Sequence, residues 1–227
     1  MQDFEDEKYR RRLRRIGIGY SIMALLIIPV YTVLYACRGD LLEENMSAIG
    51  ATAEGYRGLV LWGVISALFY LGFALYLFML TRFDNGRVRR MLLAGCGMLM
   101  ATVLLPFAPE VWPRAAQLHN FFAMAAPVVM MLTLYGFVFY LARYDRQVHT
   151  RALIALNLLV FLSAVLLLAT GASGLLEVVV TVGMCGYMFM LLVWLGRSEK
   201  VDGVGALRDA ELRYWAHRKN NLKDKPK

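Results

Sequence analysis

Long apolar blocks, separated by short segments that hold almost all of the charged residues, constrain this chain more than any other feature of its sequence. A helix of ~20 apolar residues crosses the ~30 Å hydrocarbon layer of a bilayer. Several blocks reach or approach that length, and 59% of the 227 residues are hydrophobic. The pattern predicts an all-α, polytopic integral membrane protein. Its single membrane domain, residues 16–196, lies between a basic N-terminal segment, 1–15, and a basic tail, 197–227.

Six transmembrane helices in one bundle account for the apolar blocks. The predicted spans are Ile16–Ala36, Leu59–Leu80, Met91–Phe107, Phe121–Leu141, Ala152–Thr170 and Leu175–Leu195. The third span is the shortest, and a tilted neighbour or local thinning of the bilayer would accommodate it. Only Gly171–Gly174 separates the last two spans, which predicts a tight reversal of small residues.

The distribution of basic residues indicates the orientation, because Lys and Arg beside a span resist translocation. With the N-terminus in the cytoplasm, 22 of the 25 Lys and Arg residues are cytoplasmic, and only Arg38, Arg57 and Arg114 lie outside. We therefore expect both termini in the cytoplasm. The basic clusters adjoin the spans, which predicts contact with membrane lipids, anionic lipid at the basic cytoplasmic face in particular, and no nucleic acid.

The tail carries a short apolar stripe among basic residues. Leu207, Ala210, Tyr214 and Trp215 recur at helical spacing, which predicts a basic amphipathic helix on the inner leaflet. A frayed, solvated tail is the alternative, since the stripe is short. The preference for arginine among the basic residues favours a multi-pass protein of the bacterial inner (plasma) membrane.

The predicted spans are almost free of charge. Their one acid is Glu177, in the first turn of the sixth span. Ion pumps and proton-coupled carriers place ionisable groups at depth, so the composition argues against those classes. Two prolines, Pro29 and Pro127, interrupt spans at similar depth. Paired broken helices can mark a cavity, here one that opens outward, and they suggest a small-solute carrier. Ordinary packing kinks are the alternative.

Polar chemistry gathers in the outer loops and at the outer end of the last span. The candidate ligand-binding or lipid-binding residues are His119, Asn120, Glu110, Arg114 and Glu177, with the two prolines. A catalytic set of His119, Glu110 and Ser47 is conceivable because a His beside a carboxylate acts as a base. No nucleophile elbow supports that set, and a structural His119 is the alternative. His119 is the only outer histidine, so we expect no metal and no cofactor.

Three short motifs accompany this layout. Ser47–Gly50 provides a Ser-x-x-Gly element after the first span, Pro106 and a Pro109–Glu110 turn follow the third, and His119–Ala123 opens the fourth. With these motifs, residues 10–197 resemble the six-helix membrane family catalogued as domain of unknown function 998 and, more distantly, the Frag/DRAM/Sfk group. The resemblance implies an integral membrane protein, and the Frag/DRAM/Sfk relatives point towards lipid handling or membrane stress.

Three functions are compatible with these features. The first is a non-enzymatic membrane protein that binds or senses a lipid or a protein partner at its outer face, which the uncharged spans and polar outer loops favour. The second is a lipid-modifying enzyme with an outer His and carboxylate site. The third is a small-solute carrier. Each of the three functions is compatible with a homo-oligomer.

Overall fold

The structure, a computed structural model, describes residues 2–105, 107–199, 201–209 and 211–213, with side chains from residue 6 onward. Every regular element in these ranges is helical, which confirms the all-α fold class. The elements are α1 (Gln2–Ile22), a π-helical turn (Met23–Ile27), α2 (Ile28–Ala36), α3 (Met46–Gly50), α4 (Ala53–Leu80), α5 (Gly86–Leu104), α6 (Pro113–Tyr144), α7 (Arg146–Thr170) and α8 (Gly174–Arg197).

Side chains at the loop–helix junctions explain where most of these helices begin. Each capping oxygen accepts a hydrogen bond from a backbone N–H two or three residues further on, which satisfies a donor that the first turn leaves unpaired. The capping residues are Asn45 before α3, Thr52 before α4, Asn85 before α5, Asp145 before α7 and Ser173 before α8. Helix α6 begins at Pro113, whose fixed φ and missing N–H suit the first helical position.

Five helices are long and apolar enough to cross a membrane. They are α4, α6, α7, α8 and the continuous helix of α1, the π-turn and α2. Helix α5 differs because Arg87, Arg89 and Arg90 lie in its first turns. Its apolar part, residues 91–104, is ~21 Å long at ~1.5 Å per residue. The predicted third span is too long at its C-terminal end, because the helix ends at Leu104 and Leu105 is extended.

The interruption expected at Pro29 takes the form of a π-helical turn. The backbone N–H of Ile28 donates to the Met23 carbonyl, which widens the turn directly before the proline. Pro29 has no N–H to give, and the wider turn accommodates that loss without ending the helix. The chain therefore stays helical from Gln2 to Ala36.

Helix α4 lies at the centre of the bundle, packed against α2, α5 and α8. Phe73 of α4 is fully buried and stacks on Tyr20 of α1 with ring centroids 4.8 Å apart. Phe78 contacts Phe137 of α6 at 5.0 Å. Helix α7 packs mainly against α6 and α8, and its opposite face exposes large apolar side chains such as Leu168, which is 88% exposed.

We name the two ends of the bundle by what they carry. The cap end holds residues 37–52, called the cap, together with the α5–α6 loop. The basic end holds the α4–α5 and α6–α7 loops and the described part of the tail.

The tail folds back onto the basic end. Residues 203–209 are helical, and Ala206 and Leu207 are buried. Arg82 pairs with Asp209 at 3.1 Å and with Asp202 at 3.6 Å. The sequence prediction that Leu207 faces the inner leaflet is therefore wrong: it packs against the protein. The other stripe residues, Ala210, Tyr214 and Trp215, lie outside the described residues.

Candidate functional site

The cap is held in place by backbone hydrogen bonds to the first turn of α8. The N–H of Gly174 donates to the Glu44 carbonyl and the N–H of Leu175 donates to the Leu41 carbonyl, both at 2.8 Å. A side chain at position 174 would not fit, because its Cβ would lie 2.8 Å from the Glu44 oxygen. Backbone N–H groups in the first turn of a helix have no acceptor within that helix. In α8 two of these groups anchor the cap across one end of the bundle.

Glu177 makes the third link between α8 and the cap. Its Oε2 atom accepts a hydrogen bond of 2.6 Å from the backbone N–H of Met46, the first residue of α3. The same carboxylate lines the cavity described below. Glu177, a site residue predicted from the sequence, is half-buried beneath the cap. Its hydrogen bond is to the backbone and not to a basic side chain.

Ser47 and His119 are in direct contact. The His119 Nε2 atom lies 2.8 Å from Ser47 Oγ, and His119 Nδ1 lies 3.0 Å from the Leu105 carbonyl oxygen. A carbonyl only accepts, so Nδ1 carries the proton and donates it. In the neutral imidazole Nε2 is then the acceptor, and the Ser47 hydroxyl donates to it. Both side chains are buried, and the Phe107 ring lies 5.3 Å from the imidazole.

The ends of three helices position this pair. Ser47 is fixed in the first turn of α3 by its Asn45 cap. Leu105 follows the last residue of α5. A carbonyl at that end of a helix has no N–H donor within the helix, so its oxygen can accept from His119. His119 projects from the second turn of α6, which begins eight residues before the predicted fourth span at Phe121.

Glu110 is not the partner of His119. It lies exposed in the α5–α6 turn, while both imidazole nitrogens are engaged by Leu105 and Ser47. Of the three catalytic candidates, the structure therefore brings together Ser47 and His119 and leaves Glu110 apart. Arg114 is also exposed, in the first turn of α6, and neither residue lines the cavity.

A cavity of about 630 Å³ lies beneath the cap, between α4, α5, α6, α7 and α8. Its walls are mostly apolar, and polar side chains gather where it meets the cap. Those polar residues are Asn45, Ser47, Asn120 and Glu177. On α4 the lining runs from Leu59 to Tyr70, which is ~16 Å along the helix axis. At the deep end the Tyr70 hydroxyl donates to the Thr181 carbonyl at 3.1 Å.

The cavity opens sideways between α6 and α7. Met124 and Val128 of α6, and Ala164 and Leu167 of α7, line it and are also exposed at the surface of the bundle. Closer to the basic end the two helices are joined, since the Tyr135 hydroxyl of α6 donates to Asn157 Oδ1 of α7 at 2.6 Å. We call the gap above that bond the lateral mouth.

The two prolines have different positions relative to the cavity. Pro127 lines its wall on α6, and Pro29 does not line it. The two prolines therefore do not flank one cavity, which leaves Pro29 with the alternative interpretation, an interruption used for packing. Asn120, in contrast, lines the polar end of the cavity.

Several polar side chains within the predicted spans bond to a carbonyl of their own helix. Thr102, Thr133 and Ser163 each donate to the carbonyl four residues earlier, whereas Asn157 bonds to a neighbouring helix. No group of three or more His, Cys, Asp or Glu side chains in the described ranges is placed to hold a metal ion.

The sequence gives no direct signal for the cavity itself. Its wall residues are ordinary apolar residues of five different helices, and only packing reveals that they leave a space between them.

Comparison of the chain with protein-family models, curated proteins and solved structures finds no match in any of the three. The resemblance to the family with domain of unknown function 998 and to the Frag/DRAM/Sfk group stays a prediction.

Proposed function

We propose that this chain spans a membrane six times, with the cap outside and both termini in the cytoplasm, and that its cavity binds an acyl chain of a membrane lipid. The cavity carries this proposal. Its ~16 Å length matches one leaflet of a ~30 Å hydrocarbon layer. An apolar chain would lie along the walls, and the polar headgroup would meet Asn45, Asn120 and Glu177.

The lateral mouth supports a ligand that arrives from the bilayer. Its rim is exposed and apolar, so a lipid tail can pass between α6 and α7 without meeting a charged side chain. Large exposed apolar residues also cover the outward face of α7, including Leu158, Phe161 and Leu168. Soluble proteins rarely expose such contiguous apolar surface, and a membrane would cover it.

The basic residues support the orientation and the location. The basic end holds the arginines in the first turns of α5 and those beside the α6–α7 junction, Arg143, Arg146 and Arg151. The described part of the tail pairs with Arg82 at the same end. We place this end at the cytoplasmic face of a bacterial inner membrane, in contact with anionic lipid. Helix α5 would then make the sixth crossing with its arginines at the interface.

Native mass spectrometry of the full chain in mild detergent tests lipid binding. We expect the wild-type protein to retain a lipid, and Ala164→Trp to lose it because the indole fills the lateral mouth. Val165→Trp is the matched control, since Val165 is exposed on α7 and does not line the cavity. A wild-type protein free of lipid, or equal retention by Ala164→Trp, would overturn the proposal.

A further inference from the structure

The hydrogen bond between Ser47 and His119 has the polarity that nucleophilic catalysis requires. In the neutral imidazole the serine hydroxyl donates to Nε2, which is the arrangement from which a general base removes the proton. Ser163, which lines the same cavity, donates instead to the Leu159 carbonyl of its own helix. A backbone carbonyl cannot accept that proton, so Ser47 alone of these two has a base.

The Leu105 carbonyl acts as the positioning group for the base. It holds the Nδ1 proton, and so it fixes the tautomer in which Nε2 faces Ser47. In the Ser-His-Asp arrangement a carboxylate has this place and also stabilises the imidazolium. A carbonyl carries only a partial negative charge. It can orient the ring as a carboxylate does, but it stabilises the imidazolium less than a carboxylate would.

The pair lies where the ester group of a bound lipid would be. Ser47 lines the polar end of the cavity, next to the apolar walls that would hold the acyl chain. The carboxamide side chains of Asn45 and Asn120 line the same end. Amide N–H groups of this kind stabilise the oxyanion that forms when a carbonyl is attacked.

We propose that Ser47 is a nucleophile that accepts the acyl group of an ester lipid held in the cavity, with His119 as its general base. This inference rests on the proposed lipid-binding function. Ser47 Oγ bonds to the ester carbonyl carbon while Nε2 takes the hydroxyl proton. The bond from that carbon to the lipid alcohol oxygen then breaks, and Nε2 returns the proton to the alcohol. Water, activated by His119, cleaves the acyl-serine ester and releases the fatty acid.

Labelling with a long-chain alkyl fluorophosphonate tests the nucleophile. The serine oxygen bonds to phosphorus and fluoride leaves, so the intact mass rises by one adduct. We expect one adduct on wild-type protein, mapped to Ser47 by peptide sequencing, and none on Ser47→Ala. In His119→Gln, where the amide can still bond to Leu105, we expect labelling to slow by about a hundredfold or more, because a general base contributes ~10²–10⁴.

Ser21→Ala is the control variant. Ser21 lies on α1 away from the cavity and donates to the Gly17 carbonyl, so this change should leave labelling at the wild-type rate. The assignment of Ser47 as a nucleophile with His119 as its base would be overturned by an unlabelled wild type, by an adduct on another residue, or by equal labelling of His119→Gln. Lipid retention in native mass spectrometry separates the two proposals: a protein that keeps its lipid but takes no label retains the binding function and loses the enzymatic one.

Discussion

Glu177 of α8 accepts a hydrogen bond of 2.6 Å from the backbone N–H of Met46, although 131 positions separate the two residues. With the two backbone bonds from Gly174 and Leu175, it attaches the cap to the last helix. The link matters for the site because Ser47 is the next residue after Met46. Its distance from His119 therefore depends on how firmly α8 holds the start of α3.

Replacement of Glu177 should loosen the cap. In Glu177→Ala the buried N–H of Met46 loses its acceptor, which costs ~1–3 kcal/mol. Glu177→Gln keeps a carbonyl oxygen at the same position and should retain most of the stability. Thermal unfolding in detergent measures the difference, with Glu110→Ala as the exposed control. Equal midpoints for Glu177→Ala and Glu177→Gln would contradict the role of this hydrogen bond.

A methyl group at position 174 should separate the cap from α8. The Cβ of Gly174→Ala would lie 2.8 Å from the Glu44 carbonyl oxygen, which is backbone and cannot rotate away. Forced contacts of this kind cost ~1–3 kcal/mol. We expect a lower unfolding midpoint and faster protease cleavage in the cap.

Gly186→Ala is the matched control for Gly174→Ala. Gly186 lies on the same helix, and a Cβ added there would have no neighbouring side chain or other helix within 4 Å. Alanine is the better helix former, so this variant should gain ~0.5–1 kcal/mol. A similar decrease of the unfolding midpoint in both variants would show that the contact between Gly174 and the cap does not control stability.

The hydrogen bond below the lateral mouth should have a measurable coupling energy. Tyr135 and Asn157 join α6 and α7 at 2.6 Å. A double-mutant cycle with Tyr135→Phe and Asn157→Ala isolates that pair. We expect a coupling energy of ~0.6–2 kcal/mol, the range typical of hydrogen bonds between membrane helices. Additive effects of the two changes would mean that this bond does not hold the helices together.

Cysteine accessibility tests whether α5 crosses the membrane. In a Cys37→Ser background, Glu110→Cys at the cap end and Arg87→Cys at the basic end place exposed thiols at opposite ends of α5. An impermeant maleimide should label Glu110→Cys in intact cells and Arg87→Cys only after permeabilisation. Labelling of both, or of neither, before permeabilisation would contradict the six-span topology.

The sequence predicts the fold class and most helices because the length of an apolar block is a local property. The helix starts at Asn85, Asp145 and Ser173 lie two to seven residues before the predicted spans. Helix α5 is less well predicted because three arginines continue into it, and the tail stripe at Leu207 is misassigned because its partner surface is the protein itself. Hydropathy does not distinguish burial in protein from burial in lipid.

The candidate site is only half predictable for the same reason. Ser47 and His119 stand out as polar residues in the expected outer loops, and the structure brings them within 2.8 Å. Glu110 looks equally suitable in the sequence, yet the imidazole bonds to the Leu105 carbonyl instead. Every residue carries a backbone carbonyl, so the residue type does not indicate which carbonyl will accept a hydrogen bond from His119.

The attachment of the cap to α8 also sets an order for biogenesis. During synthesis the cap emerges early, with only the first helix complete, and its anchors at Gly174, Leu175 and Glu177 emerge last. Contacts so distant in sequence form late. A ribosome-bound or truncated chain that lacks α8 also lacks the three anchors of the cap. We therefore expect the Ser47–His119 site to become stable only after α8 has been synthesised.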